Sequence, residues 1–109
     1  MEELAEKLKG VFYLATEENG QPHVRPFDNA AVVQGNLYFG TGRSKKVTRQ
    51  IINNPKIEVF CMDDMNMTRF RAEAEVEENE EIAKEAFEKM GKVFSEGESV
   101  ALKIYNVEF

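Results

Sequence analysis

Four cations crowd the stretch TGRSKKVTRQIINNP, residues 41–55: Arg43, Lys45, Lys46 and Arg49. Val47 and Ile51 lie one helical turn apart and Pro55 follows them, so the spacing predicts a short helix here with Ser44 as its N-cap. The first-turn amides of a helix already carry partial positive charge, and cations placed beside them are locally unfavourable unless an anion compensates. Exposed amides, the hydroxyls of Thr41 and Ser44, the glycines Gly40 and Gly42 and the cations Arg43, Lys45 and Lys46 together have the composition of a phosphate cradle. An ordinary solvated helix face is the competing reading of the same residues. The pattern G-x-x-x-x-G-K-[ST] is missing, which disfavours a nucleotide triphosphatase.

A second cluster is RPFDN, residues 25–29. Proline cannot donate to a sheet ladder, so Pro22 and Pro26 predict an edge strand, a bulge or a break in pairing, any of which leaves room for a ligand. Arg25 supplies a planar fork suited to a phosphate or a carbonyl, and Phe27, two residues on, shares its side of a strand. A barrel corner with Arg25 paired to an acid is the plainer alternative. Self-contained catalytic sets are scarce. His23 is the sole histidine and Cys61 the sole cysteine, so neither a disulfide nor a two-residue structural zinc site arises, and Cys61 reads as a buried, inert thiol. No nucleophile elbow is present and no catalytic side chain is assigned; chemistry here implies a cofactor.

The elements that must position these residues follow from periodicity. EELAEKLK puts Leu4, Ala5 and Leu8 on one stripe and ends at Gly10, predicting a short helix. Val11 to Thr16 reads as a strand, Asn19-Gly20 as a hairpin turn, and a second strand begins near Gln21. Two further short strands flank Gln34, Gly35 and Asn36. After the basic helix, KIEVFCM is a strand, and MTRFRAEAEVE alternates with a period of two. Asn79 caps a helix whose inner face is Ile82, Ala86, Phe87 and Met90, and SVALKIYNVEF closes the chain as a strand. The expected architecture is mainly β with α: a six-stranded antiparallel barrel with flanking helices, a single domain spanning residues 1–109.

Composition bounds the function. The hydrophobic fraction is 42%, the charged fraction 31%, and the formal net charge is -6. That sign opposes general attraction to nucleic acid or anionic lipid and makes the local basic cluster more informative. No apolar run approaches the roughly 20 residues of a membrane span, and the N-terminus lacks the form of a secretory signal, so a soluble cytoplasmic protein is expected.

Taken in order, VFYLATEENGQPHVRPF, NLYFGTGRSKKV and NNPKIEVFCM resemble the pyridoxamine 5′-phosphate oxidase-like family of FMN-binding split barrels, over roughly Leu8 to Val76. The resemblance implies a Greek-key split barrel that forms a homodimer with FMN in clefts between subunits. It implies cofactor contacts from Arg25, Pro26 and Phe27, from Phe39, Gly40 and Thr41 at a strand end, and from Ser44, Lys45 and Lys46 at the phosphate turn. The negative group awaited by the basic stretch is then the flavin phosphate. The sequence ends at Phe109 without the Arg-rich and aromatic segment that grips substrate in true oxidases, so pyridoxamine phosphate oxidation is not expected.

The leading expectation is therefore an FMN-dependent oxidoreductase acting on a nicotinamide or other small molecule. A non-catalytic carrier or sensor of flavin, haem or another ligand on the same barrel is the alternative. An RNA-binding barrel using the basic helix is opposed by the net acidity.

Overall fold

The computed structural model describes residues 1–109 and contains three helices and seven strands. In chain order these are α1 (Glu2–Lys7), β1 (Val11–Glu18), β2 (Gln21–Asp28), β3 (Ala31–Val33), β4 (Asn36–Gly42), α2 (Lys46–Asn53), β5 (Lys56–Asp63), β6 (Asn66–Val76), α3 (Glu80–Met90) and β7 (Ser99–Glu108). All seven strands join one antiparallel sheet in the order β2-β1-β5-β6-β7-β4-β3. The expected count was six; the structure has seven, because both short strands flanking the Gln34-Gly35 turn join the sheet, including β3 of only three residues. The sheet curls but does not close, since β2 and β3 form its two ends, and this is the split barrel.

Turn chemistry sets the hairpins. Asn19 and Gly20, with φ of 53° and 83°, connect β1 to β2, and Gln34 and Gly35, with φ of 52° and 78°, connect β3 to β4. Positive φ at both central positions twists the turn in the sense of the flanking strands, which aligns the pairs Glu18 with Gln21 and Val33 with Asn36. β2 stays fully paired with β1 from Gln21 to Asp28, so Pro22 and Pro26 mark an edge strand and not a break.

Alternation divides each strand between two faces. Inward residues Phe12, Leu14, Phe27, Leu37, Phe39, Val59, Phe70, Leu102 and Ile104 form the barrel core; Leu4 and Leu8 from the α1 region and Val47 and Ile51 from α2 pack into it. Phe12, Phe27 and Phe39 form an aromatic trio, with the rings of Phe12 and Phe39 4.7 Å apart. Outside the barrel, α3 lays Ala83, Ala86, Phe87 and Met90 over Tyr38 and Ala101. Asn79 caps α3 by accepting from the amides of Glu81 and Ile82, and Gly91, at φ 73°, ends it.

The outward face of β2-β1-β5-β6 has no such cover. Tyr13 stands opposite Pro26 on one side and Phe60 on the other, while Met62 pairs with Met67, giving a continuous apolar stripe. Val11, Tyr13, Val24, Met62 and Met67 on this face are exposed. No helix is long and apolar enough to cross a membrane.

Candidate functional site

β2, the end of β4 and the start of α2 surround a cleft of about 560 Å³, within the range of small-molecule and cofactor sites. Arg25, Pro26 and Phe27 reach it from β2, Gly40 and Thr41 from β4, and Lys45 and Lys46 from the head of α2. Seven of the nine residues singled out from the sequence are thus brought together. The other two lie elsewhere: Phe39 is fully buried against Phe12 and Phe27, and Ser44 does not line the cleft.

Arg25 is the most elaborately held residue of the site. It points inward from β2, opposite Leu14 of β1, and donates through Nη1 to the Leu14 carbonyl at 3.2 Å and to Thr16 Oγ1 at 2.9 Å. Its Nη2 donates to Gln50 Oε1 at 2.5 Å, and the Thr16 hydroxyl donates to the same oxygen at 2.6 Å. Thr16 and Gln50 are buried, and both partners are neutral. Partial burial pushes the Arg25 pKa below its usual value, yet a guanidinium remains charged at any ordinary pH. The result is a cation partly stripped of water with no carboxylate beside it.

Lys45 and Lys46 are exposed, and neither takes part in any ion pair or side-chain hydrogen bond of the chain. Arg49 behaves differently. Its Nε and Nη2 grip both oxygens of Glu18 at 3.1 and 3.0 Å, and the hydrogen bond and charge of Arg49 hold the Glu18 carboxyl below the usual carboxylate range.

The turn before α2 departs from expectation. Lys45, not Ser44, occupies the N-cap position, with no capping side chain. The Ser44 hydroxyl donates to Glu98 Oε2 at 2.6 Å, the Ser44 amide lies 3.3 and 3.4 Å from the two oxygens of Glu98, and the Arg43 amide donates to the Glu98 carbonyl at 2.6 Å. A carboxylate from the α3–β7 loop has therefore claimed the Ser44 hydroxyl and amide, two of the donors that the cradle reading gave to phosphate. Gly42 makes room for it, because a Cβ at that position would collide with Glu98 Oε2. Gly40 has its own reason: a Cβ there would lie 3.0 Å from Met90 Sδ and 3.3 Å from Phe87 Cζ, so the missing side chain lets α3 seat on the sheet while the backbone faces the cleft. Neither glycine uses positive φ.

Three contributors escaped the sequence reading. Thr16 and Gln50 are two, and Lys92 is the third: it lines the cleft and binds Asp28, Nζ to Oδ1, at 2.6 Å. His23 also lines the cleft, half-buried. No three His, Cys, Asp or Glu side chains converge on a metal position. Cys61 is buried, and that burial pushes its thiol pKa up, as an inert core residue requires.

The family model described as pyridoxamine 5′-phosphate oxidase matches residues 1–105. The chain belongs to this family. Among solved structures it is similar to a NimC/NimA family protein from Clostridium acetobutylicum, at 34% identity and a TM-score of 0.83, covering 98% of this chain and 83% of that one. General Stress Protein 26 from Bacillus anthracis shares the fold at 21% identity and a TM-score of 0.68, with 94% and 88% covered. So does HutZ, a heme storage protein from Vibrio cholerae, at 14% identity and a TM-score of 0.68, with 98% and 89% covered. No curated protein matches the chain.

Proposed function

We propose that the protein is an FMN-binding oxidoreductase that takes a nicotinamide or another small molecule as its partner in electron transfer. The observation that carries this reading is the charge imbalance of the cleft, where Arg25, Lys45 and Lys46 meet with no carboxylate paired to any of them. The donor set fits FMN: lysines beside the first-turn amides of α2 suit a phosphate dianion, and a fixed guanidinium suits an oxygen acceptor of the ribityl chain or ring. Bound there, FMN supplies hydride transfer at N5. Lys45 and Lys46 neutralise the phosphate, Arg25 orients the acceptor, and Phe27 and Pro26 provide an apolar wall. Ser44 and Phe39 take part indirectly, the first by shaping the turn and the second by supporting Phe27 from below.

A homodimer belongs to the same reading. Val24 and Pro26 lie on the uncovered apolar stripe, and Pro26 also lines the cleft, so a second copy seated on the stripe closes the cleft from its open side. Light scattering of the FMN-loaded protein is expected to give the mass of two chains, and a monomeric mass refutes this part.

Haem binding without turnover is the second reading, favoured by one observation: the sole histidine, His23, lines the same cleft and could reach an iron. The visible spectrum of freshly purified protein separates the two. A flavin band, with submicromolar to micromolar binding of added FMN and bleaching by NADH or NADPH, supports the oxidoreductase. A Soret band supports haem, and a colourless protein that rejects FMN refutes the leading reading.

A further inference from the structure

Every polar group packed around Arg25 engages the same end of its guanidinium. Nη1 and Nη2, the two terminal nitrogens, face Thr16 Oγ1 and Gln50 Oε1, and these acceptors are themselves linked at 2.6 Å, a separation that matches an end-on fork. The Leu14 carbonyl at 3.2 Å and the His23 carbonyl at 3.5 Å are the remaining Nη1 acceptors. Neither Nε–H nor the second Nη2–H has an acceptor in the chain, Nε is not a buried atom without a partner, and Arg25 lines the cleft, which leaves this side-on edge for a ligand.

We propose that Gln50 and Thr16 are positioning residues: by filling the end-on fork of Arg25 with neutral, buried oxygens they hold its Nε/Nη2 edge toward the cleft as a preset two-donor clamp for an oxygen-bearing ligand. A guanidinium has no acceptor of its own, so it forces the Gln50 amide to present its oxygen, and the Thr16 hydroxyl, donating to that oxygen, keeps its lone pairs for Arg25. Neutral partners matter here. A carboxylate in place of Gln50 would anchor Arg25 equally well but cancel the charge that a phosphate or a flavin carbonyl needs. The sequence separation is large, from Thr16 on β1 and Arg25 on β2 to Gln50 on α2, so the clamp exists only when the helix has docked across the barrel mouth.

This inference rests on the FMN reading for its ligand and on the free protein for its geometry, and the test addresses each separately. In ligand-free protein, nitrogen-15 relaxation of the Arg25 Nε–H is expected to show an ordered side chain. Gln50→Leu and Thr16→Val are expected to raise its mobility, while Gln50→Glu restores order. With FMN as the probe, Gln50→Leu is expected to raise the dissociation constant about tenfold, Thr16→Val less, and Gln50→Glu to weaken binding in spite of the ordered arginine. Unchanged Nε–H order in Gln50→Leu, or an FMN dissociation constant within twofold of wild type in a folded Gln50→Leu, overturns the proposal. Should Gln50→Leu fail to fold, Thr16→Val decides by the same two readouts. If wild-type protein does not bind FMN, the functional reading fails, and the relaxation data alone decide whether Gln50 and Thr16 position Arg25.

Discussion

Donors in and around the cleft are treated in opposite ways. At the 42–44 turn and at Arg49, carboxylates from distant segments occupy the donors: Glu98 takes the Ser44 amide and hydroxyl, and Glu18 takes the Arg49 fork. At Arg25 only neutral oxygens are supplied, and at Lys45 and Lys46 nothing is supplied. The difference teaches that a basic stretch cannot be read as one electrostatic unit. Cations matched by the chain's own acids serve the fold, while those left unmatched in a concavity are the ones with charge to offer a ligand.

The sharpest way to break this division is Arg25→Leu. Titration calorimetry with FMN is expected to show a loss of about 2–3 kcal/mol, since a charge-assisted contact disappears and Thr16 and Gln50 lose their partner. Retained affinity would mean that Arg25 belongs with the structural cations. Replacing Lys45 and Lys46 together with alanine comes next, with a loss above about 1 kcal/mol, more than exposed ion pairs contribute, and with a weaker dependence of binding on salt. A dissociation constant that does not move removes the phosphate from this corner.

The compensated side should behave differently. Ser44→Ala is expected to leave FMN affinity within a factor of about three and to lower unfolding stability by about 0.5–1.5 kcal/mol in denaturant titration, the ordinary worth of one hydrogen bond. If it instead weakens FMN as strongly as the double lysine variant does, the phosphate displaces Glu98 and the two sides are not distinct. The smallest effect concerns pH. Arg49 holds the Glu18 carboxyl below its unfolded value, so the pair's contribution is complete above the unfolded carboxylate range and is lost as pH falls through the lower folded value. Arg49→Ala is expected to flatten the stability profile on the acid side of the ordinary carboxylate range without touching FMN binding, and an unchanged acid profile would show that the pair contributes nothing.

Local signals carried most of the fold. The alternation of MTRFRAEAEV, the Asn19-Gly20 turn and the Asn79 cap each depend on neighbours within a few residues, and each element stands where its pattern put it. The cleft was legible wherever its residues are themselves clustered in sequence, as in Arg25–Phe27 and Lys45–Lys46. What escaped was long-range. Nothing near Ser44 announces that Glu98, 54 positions later, will outcompete the helix for its hydroxyl. Gln50 looks like one polar helix residue among several until docking buries it against Thr16, 34 positions earlier. Phe39 reads equally well as ligand platform or core, and only the curl of the sheet, which brings Phe12 and Phe27 beside it, places it in the interior. Gly40 invited a similar confusion, because a glycine at a strand end suits a ligand and a packed helix alike.

The outermost position of β2 has a consequence for the protein's behaviour at high concentration. A sheet rim normally offers an incoming extended chain a full row of donors and acceptors, and that templating is how unrelated copies knit into fibrils. With Pro22 and Pro26 spaced four apart along this rim, the row has gaps that no visiting strand can bridge in register, so this rim is a poor template for edge-to-edge growth.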